Sequence, residues 1–173
     1  YALQIDGNGD IYVVDRLNAA IRKIWAETGI ITTLAGGTGT DTFQEPNDCF
    51  LDQRRGLLIA DVQSQLVTRI DLDVGSITTV AGNGEKARRG DGGPALEASI
   101  MGARAICLDS RGNLYICERE GNGIRIVDTN GMITTIAGTG AKGYDGDGNA
   151  AIDSTWDGPK AVRCDPDDNL IVV

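Results

Sequence analysis

Short apolar runs bounded by Gly, Asn and Asp recur along the whole chain. In each copy, an apolar run that ends in Asp precedes a tight polar turn, and a second run such as residues 57–60 follows it. Runs of this length and composition are typical of strands joined in hairpins. Because the second run is apolar at every position, it predicts a strand with both faces buried.

A third run alternates apolar and basic side chains, as in Ile124-Arg125-Ile126-Val127, and predicts a strand with one face in solvent. The fourth run is almost the same phrase three times, Ile-Thr-Thr followed by Leu, Val or Ile and then Ala-Gly. It begins at Ile31, Ile77 and Ile133, at spacings of 46 and 56 residues. Its alternation of Ile and Thr favours an outer strand with one wet face.

Four strands per repeat at this period are typical of a β-propeller blade. The sequence therefore predicts an all-β fold, a β-propeller of four-stranded antiparallel blades, forming a single partial domain over residues 1–173. The predicted blades are 1–36, 48–82 and 104–138, with the start of a further blade at 161–173. Since propellers close with about four to eight blades, we expect an incomplete ring. Either the remaining blades belong to a longer chain, or copies of this one self-associate.

Charge and hydropathy exclude two classes of partner. The net charge of −9 argues against nucleic acid, because phosphate backbones are bound mainly by Lys and Arg. No apolar stretch is long enough to predict a membrane span. The chain has no His, which disfavours zinc. The remaining partners that we expect are a protein, further propeller blades or another copy of the chain.

The four cysteines are expected to be small buried hydrophobic residues. They are Cys49, Cys107, Cys117 and Cys164. Cys107 and Cys117 fall on adjacent predicted strands of one blade and can approach each other. The register set by the turn at 110–113 disfavours a disulfide between them.

Residues 109–118, 124–127 and 133–140 together resemble the NHL-repeat propellers. The family pattern reads roughly D-x-x-G-N-[LI]-Y-V-A-D, then I-R-K-[IV], then I-T-T-[VI]-A-G-T-G, and the likeness extends over the whole chain. Departures are Arg55-Gly56 in place of Gly-Asn, Thr68 in place of Arg, and Glu118 in place of Asp. The resemblance implies a ring of six blades and an extracytoplasmic or secreted location. Similar propellers serve as protein-binding, sensor and RNA-binding domains and as lyases.

In a propeller, the loops that leave the fourth strand and those between the second and third strands emerge on one face. Here this loop-rich face is expected to gather segments 37–47, 83–103 and 139–160, and long loops on rigid scaffolds often carry function. The predicted ligand- or partner-facing residues are Asp15, Arg16, Asn18, Asp61, Gln65, Arg88, Arg89, Asp91, Glu118, Arg119, Asn122, Asp145 and Asp147.

A calcium loop is the one metal site that the spacing suggests. Asp145, Asp147 and Asn149 match the first half of an EF-hand loop, but its sixth and twelfth positions are Ala150 and Trp156. We therefore predict no cofactor, with calcium as the alternative. The repeated Gly-Asp-Gly motif of segments 83–103 and 139–160 is instead expected to supply positive φ angles and turn hydrogen bonds.

Asp15, Asp61 and Glu118 each close a predicted second strand, nine residues after a turn Asp. Paired carboxylates can bind a metal or do acid–base work. Their repetition in every blade favours a structural role, in which each acid caps its own loop and meets Arg22 or Arg125. Candidates to line the central channel are the first-strand residues Gln4, Phe50, Cys107 and Arg163.

No catalytic residue is predicted, and the sequence favours a non-enzymatic recognition module that binds a protein or ligand through the loop-rich face. One alternative is a metal-dependent propeller hydrolase or lyase, resembling gluconolactonases or peptide-amidating lyases. Another is a structural spacer in a large assembly.

Overall fold

The structure, a computed structural model, describes residues 2–173. It is built from antiparallel sheets. Three of them, here called blades 1 to 3, have four main strands in chain order, and the sheet of blade 3 has a short fifth strand as well; the fourth sheet, blade 4, has two strands. The strands of blades 1 and 2 are β1 Leu3–Ile5, β2 Ile11–Asp15, β3 Ala20–Ile24, β4 Ile31–Gly36, β5 Pro46–Leu51, β6 Gly56–Asp61, β7 Leu66–Asp71 and β8 Ile77–Ala81. Those of blades 3 and 4 are β10 Ala103–Leu108, β11 Leu114–Glu118, β12 Gly123–Val127, β13 Met132–Ala137, β14 Val162–Cys164 and β15 Leu170–Val172.

Three short elements lie in the loops. A two-residue strand, β9 Gly93–Pro94, pairs with the outer edge of β13, and single 3-10 turns occur at Arg16–Asn18 and Ala151–Asp153. None of the helices within residues 2–173 is long and apolar enough to cross a membrane. The predicted all-β class of four-stranded antiparallel sheets is therefore confirmed, and the ring does not close within this chain.

The hydrophobic core lies between adjacent blades. Leu58 of blade 2 packs with Ile106 and Ile116 of blade 3, and similar clusters join blade 1 to blade 2 and blade 3 to blade 4. Strands β6 and β11 are buried at every position, which confirms that these second strands have two covered faces. The end blades lack one neighbour, so Leu3 and Ile171 remain more than half exposed.

The prediction that the third strand keeps one face in solvent is wrong in blades 2 and 3. Thr68 is buried, and Arg125 has none of its surface exposed. Segment 83–103 lies over Arg125, which donates hydrogen bonds to the carbonyl oxygens of Ser99 at 2.9 Å and Arg89 at 3.1 Å. Segment 83–103, which precedes blade 3 in sequence, thus covers the face of the third strand that the alternation of apolar and basic residues predicts to be exposed to solvent.

The Asp that ends each first strand shapes the turn after it. The Asp109 carboxylate accepts the backbone N–H groups of Arg111 and Asn113, and the Asn113 amide and the Tyr115 hydroxyl also donate to it. Burial alone would raise the pKa of Asp109, but these hydrogen bonds outweigh it and hold the pKa below its usual value. Asp6, Asp52 and Asp165 accept the same two backbone hydrogen bonds in their own blades.

Candidate functional site: the loop-rich face

The two long inter-blade segments fold in the same way. The Gly82 N–H donates to the Ala95 oxygen and the Gly138 N–H to the Ala151 oxygen, both at 2.9 Å. Gly90 has a φ of +93° and packs against Ala98, where an added Cβ would lie 2.8 Å from the Ala98 Cα. Gly146 packs in the same way, with a φ of +122°. The predicted role of Gly in the Gly-Asp-Gly motif is confirmed, since only Gly tolerates both the angle and the close approach. Its Asp was expected to form turn hydrogen bonds, but Asp91 instead pairs with Arg125 of blade 3.

Asp61 holds the incoming chain of its own blade. Its side chain is buried and accepts the backbone N–H groups of Gln44 at 2.7 Å and Glu45 at 2.9 Å, and also those of Gln63 and Ser64 at 3.1 Å. Both carboxylate oxygens are therefore engaged by the scaffold. This is the capping role that the sequence favours, rather than a free carboxylate for acid–base work.

Replacing Asp61 with Ala should lower the free energy of unfolding by about 2 kcal/mol, because the freed amides of Gln44 and Glu45 can partly turn to water. Asp61→Asn should lose less than half as much, since a single oxygen, Oδ1, accepts three of the four bonds. Urea denaturation of the two variants beside the wild-type chain measures this difference. Equal losses would show that the carboxylate charge matters more than the hydrogen bonds.

Glu118 occupies the corresponding place in blade 3 and is completely buried. It accepts the Met101 N–H, and its Oε1 lies 3.4 Å from Arg125 Nη1. Burial raises the pKa of Glu118, although the positive charges of Arg125 and Arg88 oppose the rise. In blade 1, Asp15 pairs with Arg22 at 3.4 Å. The predicted contacts of these acids with Arg125 and Arg22 are confirmed.

Gln65 and Asn122 fasten each blade to the next one. The Gln65 side-chain oxygen accepts the Gly102 N–H at 2.7 Å, where the chain enters blade 3. The Asn122 side-chain oxygen accepts the Gly158 N–H at 2.9 Å, where the chain enters blade 4. Both residues have positive φ angles and belong to equivalent loops. Two residues that the sequence places on the partner-facing surface thus form inter-blade contacts.

Arg88 and Asp91 fix segment 83–103 to blade 3. The Arg88 guanidinium donates to the carbonyl oxygens of Gly121 at 3.2 Å and Gly138 at 2.7 Å. The Asp91 carboxylate lies 2.8 Å from Arg125 Nη2. These contacts hold the segment against blade 3.

The remaining predicted residues lie at or near the solvent. Asp15 and Arg16 are half-buried, and Arg16 forms an ion pair with Glu45. A further exposed side chain that the sequence analysis missed is Tyr144, which is 94% exposed. The exposed members of the predicted set are Asn18, Arg89, Asp91, Arg119, Asp145 and Asp147.

Charged side chains near the ring centre include a pair that the sequence did not predict. Arg163 of blade 4 reaches across blade 3 and binds Asp48 of blade 2 through two hydrogen bonds of 2.9 and 3.0 Å. Between them, the Ile106 N–H donates to Asp48 and the Ile106 oxygen accepts from Arg163. The sequence analysis singles out Arg163 as a channel-lining candidate, but it does not indicate Asp48 as its partner.

Two of the predicted channel residues instead fill space between blades. Phe50 is half-buried against the core, and Cys107 is fully buried. Cys107 lies opposite Tyr115 in the register of β10 and β11, while Cys117 lies opposite Ala105. Cys107 and Cys117 are therefore not cross-strand partners.

A cavity opens on the face of the tight turns, to which the sequence analysis gave no role. It measures about 870 Å³ and lies between blades 2 and 3. Phe50, Leu58 and Leu108 line its apolar part, and Asp52, Arg69 and Asp109 lie at its polar part. Asp52 and Arg69 form an ion pair at 2.6 Å. Within residues 2–173, no group of three or more His, Cys, Asp or Glu side chains is placed to hold a metal ion.

The comparisons with known proteins agree with this architecture. The family model of the teneurin NHL domain matches residues 62–147, about half of the chain. The chain belongs to the NHL-repeat β-propellers. Zebrafish teneurin-3 (Danio rerio) is 44% identical over 66 residues, or 35% of this chain and 2% of that protein. Human teneurin-4 is 34% identical over 96 residues, or 52% and 3%. This NHL-repeat chain thus spans only about 2–3% of the length of these relatives.

Solved structures of low sequence identity share the fold. An auxiliary nutrient binding protein from Bacteroides thetaiotaomicron superposes with a TM-score of 0.81 and 20% identity, over 99% of this chain and 44% of that one. A chain of a nidogen/laminin complex gives a TM-score of 0.68 and 16% identity, over 99% and 55%. Virginiamycin B lyase from Staphylococcus aureus gives 0.64 and 15%, over 100% and 48%. These likenesses confirm the propeller prediction.

Proposed function

We propose that this NHL-repeat segment is a non-enzymatic recognition module that binds protein through its loop-rich face. The observation that carries the proposal is a contrast between two equivalent loops. In segment 83–103, both residues are bound to blade 3: Arg88 donates to the Gly138 oxygen, and Asp91 pairs with Arg125 of β12. In segment 139–160, the residues at the same positions are Tyr144 and Asp147, and both are exposed.

Segments 83–103 and 139–160 match closely enough that the contacts of the first indicate which partner the second can bind. Tyr144 follows Gly138 by six residues, as Arg88 follows Gly82, and Asp147 follows Gly138 by nine, as Asp91 follows Gly82. The backbone hydrogen bonds that fix the segments also correspond. Segment 139–160 is therefore already in the conformation that segment 83–103 has when it is bound to a blade.

The exposed side chains of this segment indicate what a partner would need. An exposed tyrosine is typical of protein-binding surfaces, and the exposed Asp145 and Asp147 add negative charge near it in sequence. The partner that this surface fits is a protein that places a basic residue opposite Asp147, as Arg125 stands opposite Asp91.

The test uses the chain's own hairpin as a probe. A synthetic peptide of residues 121–138, which carries Arg125, should bind the isotope-labelled chain and shift the NMR signals of segment 139–160. Asp147→Lys should weaken binding at least about fivefold, because it places like charges together. The same substitution should be tolerated better when the peptide carries Arg125→Glu.

Asp145→Lys is the matched control, since it makes the same charge change two residues away. The residue equivalent to Asp145 in segment 83–103 is Arg89, whose side chain points to solvent. Binding should change little in this variant. Equal weakening by both Lys variants, or NMR shifts confined to another face, would overturn the proposal.

A further inference from the structure

Two cysteine thiols from neighbouring blades lie in contact. Cys107 is in the first strand of blade 3 and Cys164 in the first strand of blade 4, 57 positions apart in sequence. Their Sγ atoms are 3.4 Å apart. A disulfide needs the two sulfurs at about 2.05 Å and the Cβ atoms close and suitably directed, so both side chains must rotate from this contact to form one.

One of the two thiols can be reached by a small reagent. Cys107 is fully buried, but Cys164 is only partly buried and lines the cavity of about 870 Å³ on the turn face. Burial raises the pKa of Cys164, and the negative charges of Asp109, Asp168 and Asp165 act in the same direction. Less of the Cys164 thiol is therefore ionised at neutral pH, and its reaction should be faster at alkaline pH, where more thiolate is present.

We propose that Cys107 and Cys164 are a disulfide-forming pair that joins the inner strands of blades 3 and 4. The oxidant is a small-molecule disulfide that enters from the turn face. The Cys164 thiolate attacks it, forms a mixed disulfide and releases one small thiolate. The Cys107 thiolate then attacks the Cys164 sulfur and releases the second. The two protein thiols lose their protons and two electrons, and two molecules of small thiol are formed.

The bond would link two blades that already pack together. The contacts of blade 4 with blade 3 include the cluster around Cys107, Tyr115 and Val162. A covalent link across this contact closes a long loop of the unfolded chain, which is the arrangement that gains most from a cross-link. Oxidation therefore turns a packing contact between blades into a covalent one.

The experiment incubates the folded chain in mixtures of oxidised and reduced glutathione and maps the disulfides by mass spectrometry without reduction. The number of free thiols should fall from four to two, with Cys107 linked to Cys164. The melting temperature should rise by about 5 °C or more. Cys164→Ala should abolish both changes, whereas Cys49→Ala and Cys117→Ala, which remove other buried thiols, should keep the rise.

The wild-type map decides the question even if a variant folds poorly. Four free thiols in a chain that circular dichroism shows to be folded, or a disulfide between any other two cysteines, would overturn the proposal. A mixed disulfide that persists on Cys164 without closing onto Cys107 would overturn it as well. Oxidation of the chain unfolded in guanidinium is the control, because all pairs of the four cysteines can form a disulfide there. The share of the Cys107–Cys164 disulfide should be higher in the folded chain than in this control.

Discussion

Replacing Arg125 with Met should lower the free energy of unfolding by about 3–5 kcal/mol, because it removes one partner of a buried ion pair. Arg125 is fully buried and meets Glu118 at 3.4 Å and Asp91 at 2.8 Å. Methionine preserves much of the side-chain volume but leaves the Glu118 carboxylate buried without its main partner. It also frees the carbonyl oxygens of Ser99 and Arg89.

Arg22→Met is the matched control, because Arg22 stands at the same place in blade 1 and faces Asp15 at the same 3.4 Å. Its side chain is 30% exposed, so its removal should cost about 1 kcal/mol or less. Urea denaturation of both variants gives the comparison. Adding Glu118→Leu to Arg125→Met should recover part of the loss, since an apolar pair tolerates burial. Equal losses for Arg125→Met and Arg22→Met would contradict the role given to burial.

The loss in Arg125→Met should also depend on pH. Burial already raises the pKa of Glu118, and the removal of Arg125 takes away a charge that lowers it. An acid whose pKa is higher in the folded state takes up a proton on folding, so its penalty is absent below the unfolded pKa and grows as pH rises through the folded one. The difference between variant and wild type should therefore be smaller at pH 5 than at pH 8. A constant difference would indicate that lost packing, not the charge, is responsible.

The strands could be predicted from the sequence because each depends on a local pattern. Residues 57–60 are apolar throughout and form the buried centre of β6, and the turn Asp at 109 is adjacent to the amides it accepts. Arg125 could not be placed in this way. The alternation of apolar and basic residues in β12 predicts that Arg125 is exposed to solvent. In the structure it is covered by segment 83–103, which begins some forty residues earlier in the sequence.

The contacts between first strands of different blades could not be predicted from the sequence, because their partners are far apart along the chain. Asp48 and Arg163 are 115 positions apart, and nothing local to either residue indicates the other. The pairing considered for Cys107 was with Cys117, its neighbour within the blade, whereas the nearby sulfur belongs to Cys164 in the next blade. Contacts between blades depend on how the sheets are staggered, which hydrophobic periodicity does not specify.

The Gly that ends each copy of the Ile-Thr-Thr phrase has a physical explanation that leads to a final expectation. Gly82 has a φ of +95°, and a Cβ there would lie 2.3 Å from the backbone oxygen of Gln65. Gly36 and Gly138 meet the oxygens of Ala19 and Asn122 at the same 2.3 Å. Because the obstacle is backbone, it cannot rotate away. Gly82→Ala should lower the free energy of unfolding by about 3–4 kcal/mol, through left-handed strain and overpacking together.

Gly75→Ala separates the two causes. Gly75 has a φ of +74°, but an added Cβ would meet nothing within 4 Å, so this variant carries the strain without the clash and should lose about 1–2 kcal/mol. Urea denaturation of both variants measures the difference in their free energies of unfolding. This difference is the cost of the steric clash between residue 82, at the end of the fourth strand, and the backbone of the loop that precedes the third strand. If the two alanine variants lose the same stability, the repeated Gly is required for its backbone angle alone, and the fourth strand need not pack as closely as the structure has it.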